Sequence, residues 1–478
     1  MQCSVLLSRL SAIAASLLIV SSATADVKLP AIFSPAMVLQ QKAEVAIWGW
    51  ADAGEDVTVS LGDTKASGKG GADGKWLVKL KTPAAGGPFT LAVKGKNEIK
   101  LPDVLVGEVW VCSGQSNMQW TVRQAENPDG EAKQANYPQI RMFSVQRNIS
   151  DKPLEDCQGS WVVCSPETVS NFSAVGYFFG RELHKELKVP VGLINTSWGG
   201  TICEAWTCNE ALGSEADLKH FAEKKVTIDT AKMNPNQPSV LFNAMINPLV
   251  PYGIKGAIWY QGESNRARAE QYRKLFPTMI ADWRKHFEQG NFPFLFVQLA
   301  PFDYGNADPA ELAEIWEAQT KTLTTLPNTG MAVTTDIGNI KDIHPKNKQV
   351  VGRRLALWAL AKTYEKPDLV YSGPLYESMA VEGNKIRLKF QHTAGGLVAE
   401  GGKPLSHFTI AGDDHKFVPA TAEIDGETIV VSSAEVGKPV AVRFAWEDTA
   451  EPNFFNKANL PASPFRTDDL PLITAGRK

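Results

Sequence analysis

The sequence predicts an α/β protein: a mostly parallel sheet, covered by helices on both faces, with β-rich regions on either side of it. Three observations support this fold class. The chain has 478 residues, which is too long for one domain of average size. Its middle alternates strand patterns with helix patterns, as a parallel sheet requires. Its two ends instead contain short strands separated by turns.

Residues 1–25 have the features of a secretory signal peptide. Arg9 supplies a positive charge, an apolar segment occupies residues 10–20, and Ala23-Thr24-Ala25 has the small-x-small form of a cleavage site. A membrane anchor is the competing interpretation, but the apolar segment is too short to span a bilayer comfortably. We therefore expect a secreted or periplasmic mature chain that begins near Asp26 and has no membrane span.

The composition is that of an ordinary soluble protein. Hydrophobic residues make up 44% of the chain, charged residues 21%, and the formal net charge is −3. No cluster of lysine and arginine stands out, so nucleic acid is not an expected partner. The oligomeric state is left open.

The cysteines allow disulfides but do not specify them. Cys3 lies in the signal peptide and Cys112 lies on a predicted buried strand, where we expect a free thiol. Export would permit bonds within two pairs that are close in sequence: Cys157 with Cys164, and Cys203 with Cys208. The spacings match no zinc-site pattern, so we predict no metal.

Residues 26–102 are predicted to form a small β-sandwich. Strand patterns cover residues 45–50, 57–61, 76–80 and 89–93, and glycine-rich turns lie between them. No residue in this region has an evident catalytic function. We expect it to pack against the neighbouring domain or to present sugar to it.

Residues 103–365 are predicted to form the α/β domain. Strands are expected at 104–112, 191–195, 256–260, 294–299 and 331–335, and helices at 173–187, 268–286, 309–323 and 347–361. Residues 119–158 are predicted to be rich in loops, and residues 208–240 to form a partly helical insertion.

Residues 366–478 are predicted to form a second β-rich domain. The strand patterns are at 385–390, 408–410, 428–431 and 440–444. This region is either an independent sandwich or pairs with the N-terminal one, and the sequence does not distinguish the two arrangements.

A serine at the end of a buried strand is the first candidate for chemistry. The apolar segment 109–112 ends at Gly114, and the polar triplet Gln115-Ser116-Asn117 follows. Open α/β sheets place their sites at the carboxyl ends of strands, where backbone N–H groups can stabilise a negative oxygen. A capping serine would give the same pattern, so Ser116 needs a base before it can be considered a nucleophile.

His344 is the best candidate for that base among the seven histidines. It lies in Asp342-Ile343-His344-Pro345, after the last parallel strand and before a long helix, so its loop can return to the edge that carries Ser116. A carboxylate must orient the imidazole. Asp342 and Asp336 are both placed to do so.

Donors for a tetrahedral oxyanion are available at two other strand ends. Gly199 and Gly200 follow the strand at 191–195, and glycine lets the backbone approach a ligand closely. Gln261 follows the next strand and offers an amide N–H. Glu263, nearby, is interpreted as a buried structural carboxylate.

Four sequence blocks, in order, resemble those of a known family. They are Gly114-Gln115-Ser116-Asn117-Met118, Ser197-Trp198-Gly199-Gly200-Thr201, Tyr260-Gln261-Gly262-Glu263-Ser264 and Asp342-Ile343-His344-Pro345. They are similar to the blocks of the SGNH hydrolases, in the sialate O-acetylesterase branch of the carbohydrate acetylesterases. Residues 103–110 and 461–468 also resemble that branch, so the resemblance covers nearly the whole mature chain.

The resemblance implies a three-layer hydrolase domain flanked by β modules, and ester cleavage without a cofactor. Ser116 would be the nucleophile and His344 the base. The oxyanion hole would comprise the Ser116 N–H, a glycine N–H at Gly199 or Gly200, and the Gln261 side chain. Many members place the aspartate three residues before the histidine. That position is Lys341 here, so Asp342 is the chosen third residue.

The function expected from these features is that of a secreted carbohydrate O-acetylesterase acting on an acetylated glycan of sialate or plant type. The alternatives are a broad short-chain esterase or arylesterase, and a glycan-binding protein without catalysis. Polar residues near the serine favour a small acyl group, and aromatic residues there either stack on sugar rings or belong to the core. The expected substrate-binding residues are Gln115, Asn117, Trp198, Tyr260 and Asn265.

Overall fold

The computed structural model describes residues 26–229 and 231–478. The predicted signal peptide lies outside these residues. Seven strands precede Ser116: β1 Val38–Gln40, β2 Glu44–Trp50, β3 Asp56–Leu61, β4 Thr64–Lys69, β5 Lys75–Lys81, β6 Gly86–Lys94 and β7 Glu98–Gly114. β2 pairs with β5, while β3 pairs with β4 and β6, all antiparallel. In β5, buried and exposed residues alternate along the strand, as expected when only one face packs on a core.

The central sheet has six further strands. They are β8 Tyr137–Ser144, β9 Trp161–Cys164, β10 Val191–Ser197, β11 Gly256–Tyr260, β12 Phe294–Val297 and β13 Thr329–Ala332. The order is β13-β12-β11-β7-β10-β8-β9, and only the edge pair β8–β9 is antiparallel. The predicted α/β class with a mostly parallel sheet is therefore confirmed. β8 and β9 lie in or just after the segment that we predicted to be rich in loops.

Eight α-helices accompany this sheet in the described part of the chain. They are α1 Ser116–Gln119, α2 Pro128–Lys133, α3 Ala174–Leu187, α4 Asn209–Ser214, α5 Lys219–Ala222, α6 Ala269–Phe287, α7 Ala310–Thr325 and α8 Lys348–Trp358. The four long helices, α3, α6, α7 and α8, agree with the predicted ones to within one to three residues. α8 itself ends three residues before the predicted end at residue 361, and a π-helical turn, Ala359–Thr363, continues it. None of the described helices is long and apolar enough to cross a bilayer.

β7 joins the N-terminal strands to the central sheet. Its first half pairs with β6, and its second half pairs with β10 and β11. The domain boundary that we predicted at residue 102 thus falls inside one continuous strand. One apolar core extends from Val27 to Leu360 across both regions.

The C-terminal region has its own core and its own antiparallel sheets. Its strands are β14 Leu375–Glu382, β15 Lys385–Gln391, β16 Leu397–Ala399, β17 Phe408–Ala411, β18 Val418–Pro419, β19 Thr421–Asp425, β20 Thr428–Ser432, β21 Ala441–Phe444, β22 Phe454–Asn456 and β23 Phe465–Arg466. None of them pairs with the described N-terminal strands. The seam with α7 is polar: Thr474 donates to Glu314 at 2.6 Å, and Arg466 donates to Glu317 at 3.2 Å.

The five cysteines of the described chain are free thiols. Cys203 Sγ contacts the sulfur of Met279, and Cys208 Sγ accepts the N–H of Ala211 at the start of α4. The two disulfides that the spacing allowed are therefore absent from the described residues. Each thiol is instead packed as a small side chain.

Candidate active site

Strand register brings three turns together at the carboxyl edge of the sheet. Gly114, the last residue of β7, lies opposite Ser197 of β10 on one side and Tyr260 of β11 on the other. Each strand then turns, and two residues later the chain reaches Ser116, Gly199 and Gly262. The three polar turns predicted from the sequence are thus neighbours in space.

Gly114 allows these turns to approach closely. Its φ is +137°, and a Cβ at this position would lie 2.2 Å from the carbonyl oxygen of Tyr260. Neither the backbone conformation nor the space suits a side chain. The turn therefore requires glycine.

Ser116 and His344 meet, although 228 positions separate them. Ser116 Oγ and His344 Nε2 are 2.9 Å apart, which is a hydrogen-bond distance. Ser116 is the first residue of α1, and His344 lies in the loop that precedes α8. A hydroxyl that can donate to an imidazole in this way is the arrangement of an activated nucleophile.

Helix packing fixes the two loops. α8 lies against α3 so closely that a Cβ on Gly352 would be 2.7 Å from Phe178 Cβ. The hydroxyl of Ser173, which caps α3, donates to the carbonyl of Met118 at 2.6 Å. α3 therefore contacts both the turn that carries Ser116 and the helix that follows His344.

Asp342 lies beside His344 but does not make a close hydrogen bond to its ring. Asp342 Oδ1 accepts the backbone N–H of His344 at 3.0 Å and is 3.8 Å from the ring atom Nδ1. Burial lowers the pKa of His344, the charge of Lys348 lowers it further, and Asp342 acts in the opposite direction. These effects together favour the neutral imidazole, which is the form that can act as a base.

Asp336, the alternative third residue, is engaged elsewhere. Its two carboxylate oxygens each accept from the guanidinium of Arg354 at 2.6 Å. A bidentate pair of this kind holds the carboxylate in place. Of the two aspartates that we considered, only Asp342 faces His344.

The predicted oxyanion donors are not equally available. The Ser116 N–H donates to no acceptor in the described part of the chain. Gly199 touches Ser116, since a Cβ there would lie 3.1 Å from Ser116 Cβ, and its N–H donates to Gln119 Oε1 at 2.7 Å. Gly200 has a φ of +74°, and its carbonyl accepts from Asn236. Of the predicted backbone donors, the Ser116 N–H is thus unengaged among the described residues, and Gly199 lies against Ser116.

Gln261 is not positioned to act as a donor, contrary to the prediction. Its side-chain Nε2 donates to the carbonyl of Thr201 at 3.1 Å and to Asn265 Oδ1 at 2.7 Å. The residue is completely buried. Both amide hydrogens are thus used inside the protein.

Four of the five predicted substrate-binding residues are also turned inward. Tyr260 is fully buried, and Asn265 bonds to Cys203, Gln261 and Glu204. Gln115 Oε1 accepts the N–H groups of two residues in the turn after β11, at 3.3 and 3.4 Å. Asn117 is 2% exposed and bonds within the protein. These side chains hold the turns together rather than face a ligand.

Trp198 is the one predicted substrate-binding residue that is partly exposed, and the guanidinium of Arg147 lies 5.7 Å from its ring centre. We did not predict a role for Gln119 or Lys348. Trp120 is one of the aromatic residues near the serine, and its ring stacks on His344 with the ring centres 4.4 Å apart and an interplanar angle of 14°. Their adjacency to the motifs was the available signal, but it does not specify which way a side chain points.

One group of possible metal ligands lies apart from this site. Cys208, Asp282 and His286 each offer an atom within 4.8 Å of the others. Asp282 already has partners, because one oxygen is 2.9 Å from His286 Nδ1 and the other accepts the Cys208 N–H at 2.8 Å. No member of the group contacts Ser116 or His344. The prediction of no metal stays a prediction.

Comparison with known proteins identifies the family of this chain. A family model described as a carbohydrate esterase, sialic acid-specific acetylesterase, matches residues 106–360. A human sialate O-acetylesterase is 34% identical over 477 residues, covering 90% of each chain. A mouse sialate O-acetylesterase is 32% identical over 497 residues, covering 90% of this chain and 92% of its own.

A solved structure agrees with these relatives. The crystal structure of a carbohydrate acetylesterase from Xanthomonas citri is 40% identical, with a TM-score of 0.86, and the match covers 93% of this chain and all of that one. The family model and the relatives confirm the predicted enzyme class, a carboxylic ester hydrolase. The chain belongs to the sialic acid-specific acetylesterase family of carbohydrate esterases.

Proposed function

We propose that this carbohydrate acetylesterase is an exported enzyme that removes O-acetyl groups from glycans through Ser116 and His344. The observation that carries the proposal is the 2.9 Å contact between Ser116 Oγ and His344 Nε2. Next to this contact, at the end of a buried strand, the Ser116 N–H has no hydrogen-bond acceptor among the described residues. Export is supported by the signal-like residues 1–25.

The reaction follows from this geometry. His344 Nε2 takes the hydroxyl proton as Ser116 Oγ attacks the acetyl carbonyl. The N–H groups of Ser116 and Gly199 stabilise the oxyanion, once Gln119 Oε1 releases the latter. His344 then protonates the departing sugar oxygen, and a water molecule, activated by the same imidazole, hydrolyses the acetyl-serine. Asp342 stabilises the imidazolium that forms between these steps.

The preference for a small acyl group rests on family membership. The sequence argument for it used Gln115, Asn117, Gln261 and Asn265 as polar lining. These residues are buried, so they do not contact an acyl chain. Trp120 and Trp198, which lie at the site, are the aromatic surfaces available to a sugar ring.

Acetate release tests the proposal. The purified protein is assayed on O-acetylated sialic acids and on acetylated plant oligosaccharides, with aryl acetate and aryl octanoate as chain-length controls. We expect acetate from at least one glycan class and slower cleavage of the octanoate. Cleavage of both aryl esters without acetate from any glycan would instead identify a broad arylesterase. A folded protein without any hydrolysis would contradict the proposal.

The activity should fall at acid pH through a group with a pKa below 6.5, the ordinary value for histidine. The reason is that only neutral His344 accepts the serine proton. Asp342→Asn removes the negative charge that raises the pKa of His344, so it should lower kcat and move the acid limb of kcat/KM to still lower pH. Asp413→Asn, an exposed aspartate in the C-terminal domain, is the matched control. If Asp342→Asn has the same acid limb of kcat/KM as wild type, Asp342 does not raise the pKa of His344.

Gly199→Ala should reduce kcat about 10²-fold with little effect on KM. The new Cβ would lie 3.1 Å from Ser116 Cβ and 3.3 Å from Gln119 Oε1, so the serine and the turn must move apart by a few tenths of an ångström. The shift misplaces a donor that acts in the transition state. Gly437→Ala, which has open space for a methyl group, serves as the control in steady-state kinetics. Equal kcat in both variants would exclude Gly199 from the oxyanion hole.

A further inference from the structure

A chain of three polar side chains lies directly beneath the Ser116–His344 pair. Lys348 Nζ donates to Asn117 Oδ1 at 2.5 Å, and Asn117 Nδ2 donates to Glu263 Oε1 at 2.6 Å. Lys348 is completely buried. Burying an ammonium group costs free energy unless the group is paired, so the position of Lys348 requires an explanation.

The middle member of this chain contacts both loops of the site. Asn117 follows Ser116 directly, and its Nδ2 also donates to the carbonyl of Ile343 at 3.0 Å, the residue before His344. Glu263 begins the turn after β11. One amide therefore ties together the serine turn, the histidine loop and a third turn, and Lys348 and Glu263 hold that amide from its two ends.

We propose that Lys348 and Glu263 are positioning residues for the reaction proposed above. Acting through Asn117, they keep the histidine loop against the serine turn. The inference rests on the proposed ester cleavage by Ser116 and His344. Neither Lys348 nor Glu263 contacts the reacting oxygen.

The charges around Lys348 support this role. Glu263 and Asp342 are the acidic groups that act on it, Tyr260 presents its ring 5.1 Å away, and His344 is the remaining titratable neighbour. Burial lowers the pKa of Lys348 to about 7, against the effect of both carboxylates. Lys348 is therefore mostly protonated in the range below pH 6.5, where His344 titrates, and its charge opposes protonation of the imidazole.

Lys348→Met tests the inference, because methionine keeps much of the volume and removes the charge. We expect kcat to fall about 10²-fold with little change in KM, since Ser116 and His344 are no longer held in their relative positions. We also expect the acid limb of kcat/KM to move to higher pH, which is the opposite of the shift expected for Asp342→Asn. Lys346→Met, an exposed lysine on the same loop, is the matched control and should leave both unchanged.

Glu263→Gln gives an independent test with almost no change in shape. It keeps the acceptor for Asn117 but removes the partner charge of Lys348, so protonated Lys348 becomes less stable and the acid limb should again move up. Circular dichroism checks the folding of each variant, and Glu263→Gln decides the matter if Lys348→Met does not fold. If wild type releases acetate while the folded variants keep its kcat and its acid limb, the inference is wrong. An inactive wild type would instead contradict the proposed function itself.

Discussion

Replacing Ser116 with alanine should abolish acetate release, with a drop in kcat on the order of 10⁶-fold, and His344→Ala should do the same. The Ser116 hydroxyl is the only nucleophilic oxygen that the structure places against an imidazole at this sheet edge, and its only side-chain partner among the described residues is His344. Without the base, the hydroxyl is poorly reactive at neutral pH. Because both side chains are partly exposed, neither change should unfold the protein.

The two losses should not add. If the residues act as one unit, the double variant is no slower than either single variant. A fluorophosphonate probe should label wild type at Ser116, and should label His344→Ala far more slowly. His407→Ala is the control, because this histidine lies in the C-terminal domain and is paired with Glu447 at 3.0 Å. Substantial acetate release by the folded Ser116→Ala variant would refute the mechanism.

Gly114→Ala should remove both stability and activity. The added Cβ would come within 2.2 Å of the Tyr260 carbonyl oxygen and 2.7 Å of its carbon, and the φ of +137° is one that alanine rarely adopts. Because the contact is with backbone, β7 and β11 must separate where they carry the site. We expect a loss of about 4 kcal/mol or more in the free energy of unfolding.

Urea denaturation measures that loss, and acetate release reports the site. Gly213→Ala is the matched control: its Cβ would meet only Ala222 at an ordinary 3.5 Å, within α4. It should be neutral or slightly stabilising, since alanine favours helices over glycine. A Gly114→Ala variant as stable as wild type would show that the turn can relax, and would weaken the argument for close approach at this edge.

Much of this architecture could be predicted because its patterns are local. Each long helix buries apolar residues spaced three or four positions apart, and the strands β10 and β11 begin with apolar residues and lead into polar turns. The pairing of Ser116 with His344 was predictable for a different reason. Parallel strands deliver their carboxyl ends to the same edge, so polar residues after several strands must meet there.

The directions of side chains at that edge were not predictable. Asn117 and Asn265 were expected to face a substrate, but both point inward and bond to buried partners. A turn residue one position away from the serine can face either side, and periodicity no longer applies there. Only the three-dimensional partners, which are distant in sequence, decide the outcome.

The predicted boundary at residue 102 coincides with a proline inside β7. Pro102 has no N–H to contribute to a ladder, so it suggests the end of a strand. In the structure the pairing of β6 with β7 shifts register here, and the adjacent Asp103 has a φ of +58°. A bulge of this kind accommodates proline without ending the strand. Arg141 of β8 holds Asp103 through two hydrogen bonds, at 2.7 and 3.0 Å.

This uninterrupted strand has a mechanical consequence. With no linker and no separate core, the N-terminal module cannot swing over Ser116 as a hinged lid would. The Gln119 side chain, which accepts the Gly199 N–H, can instead rotate without moving the N-terminal module. A substrate would therefore meet the N-terminal module in a fixed position relative to Ser116.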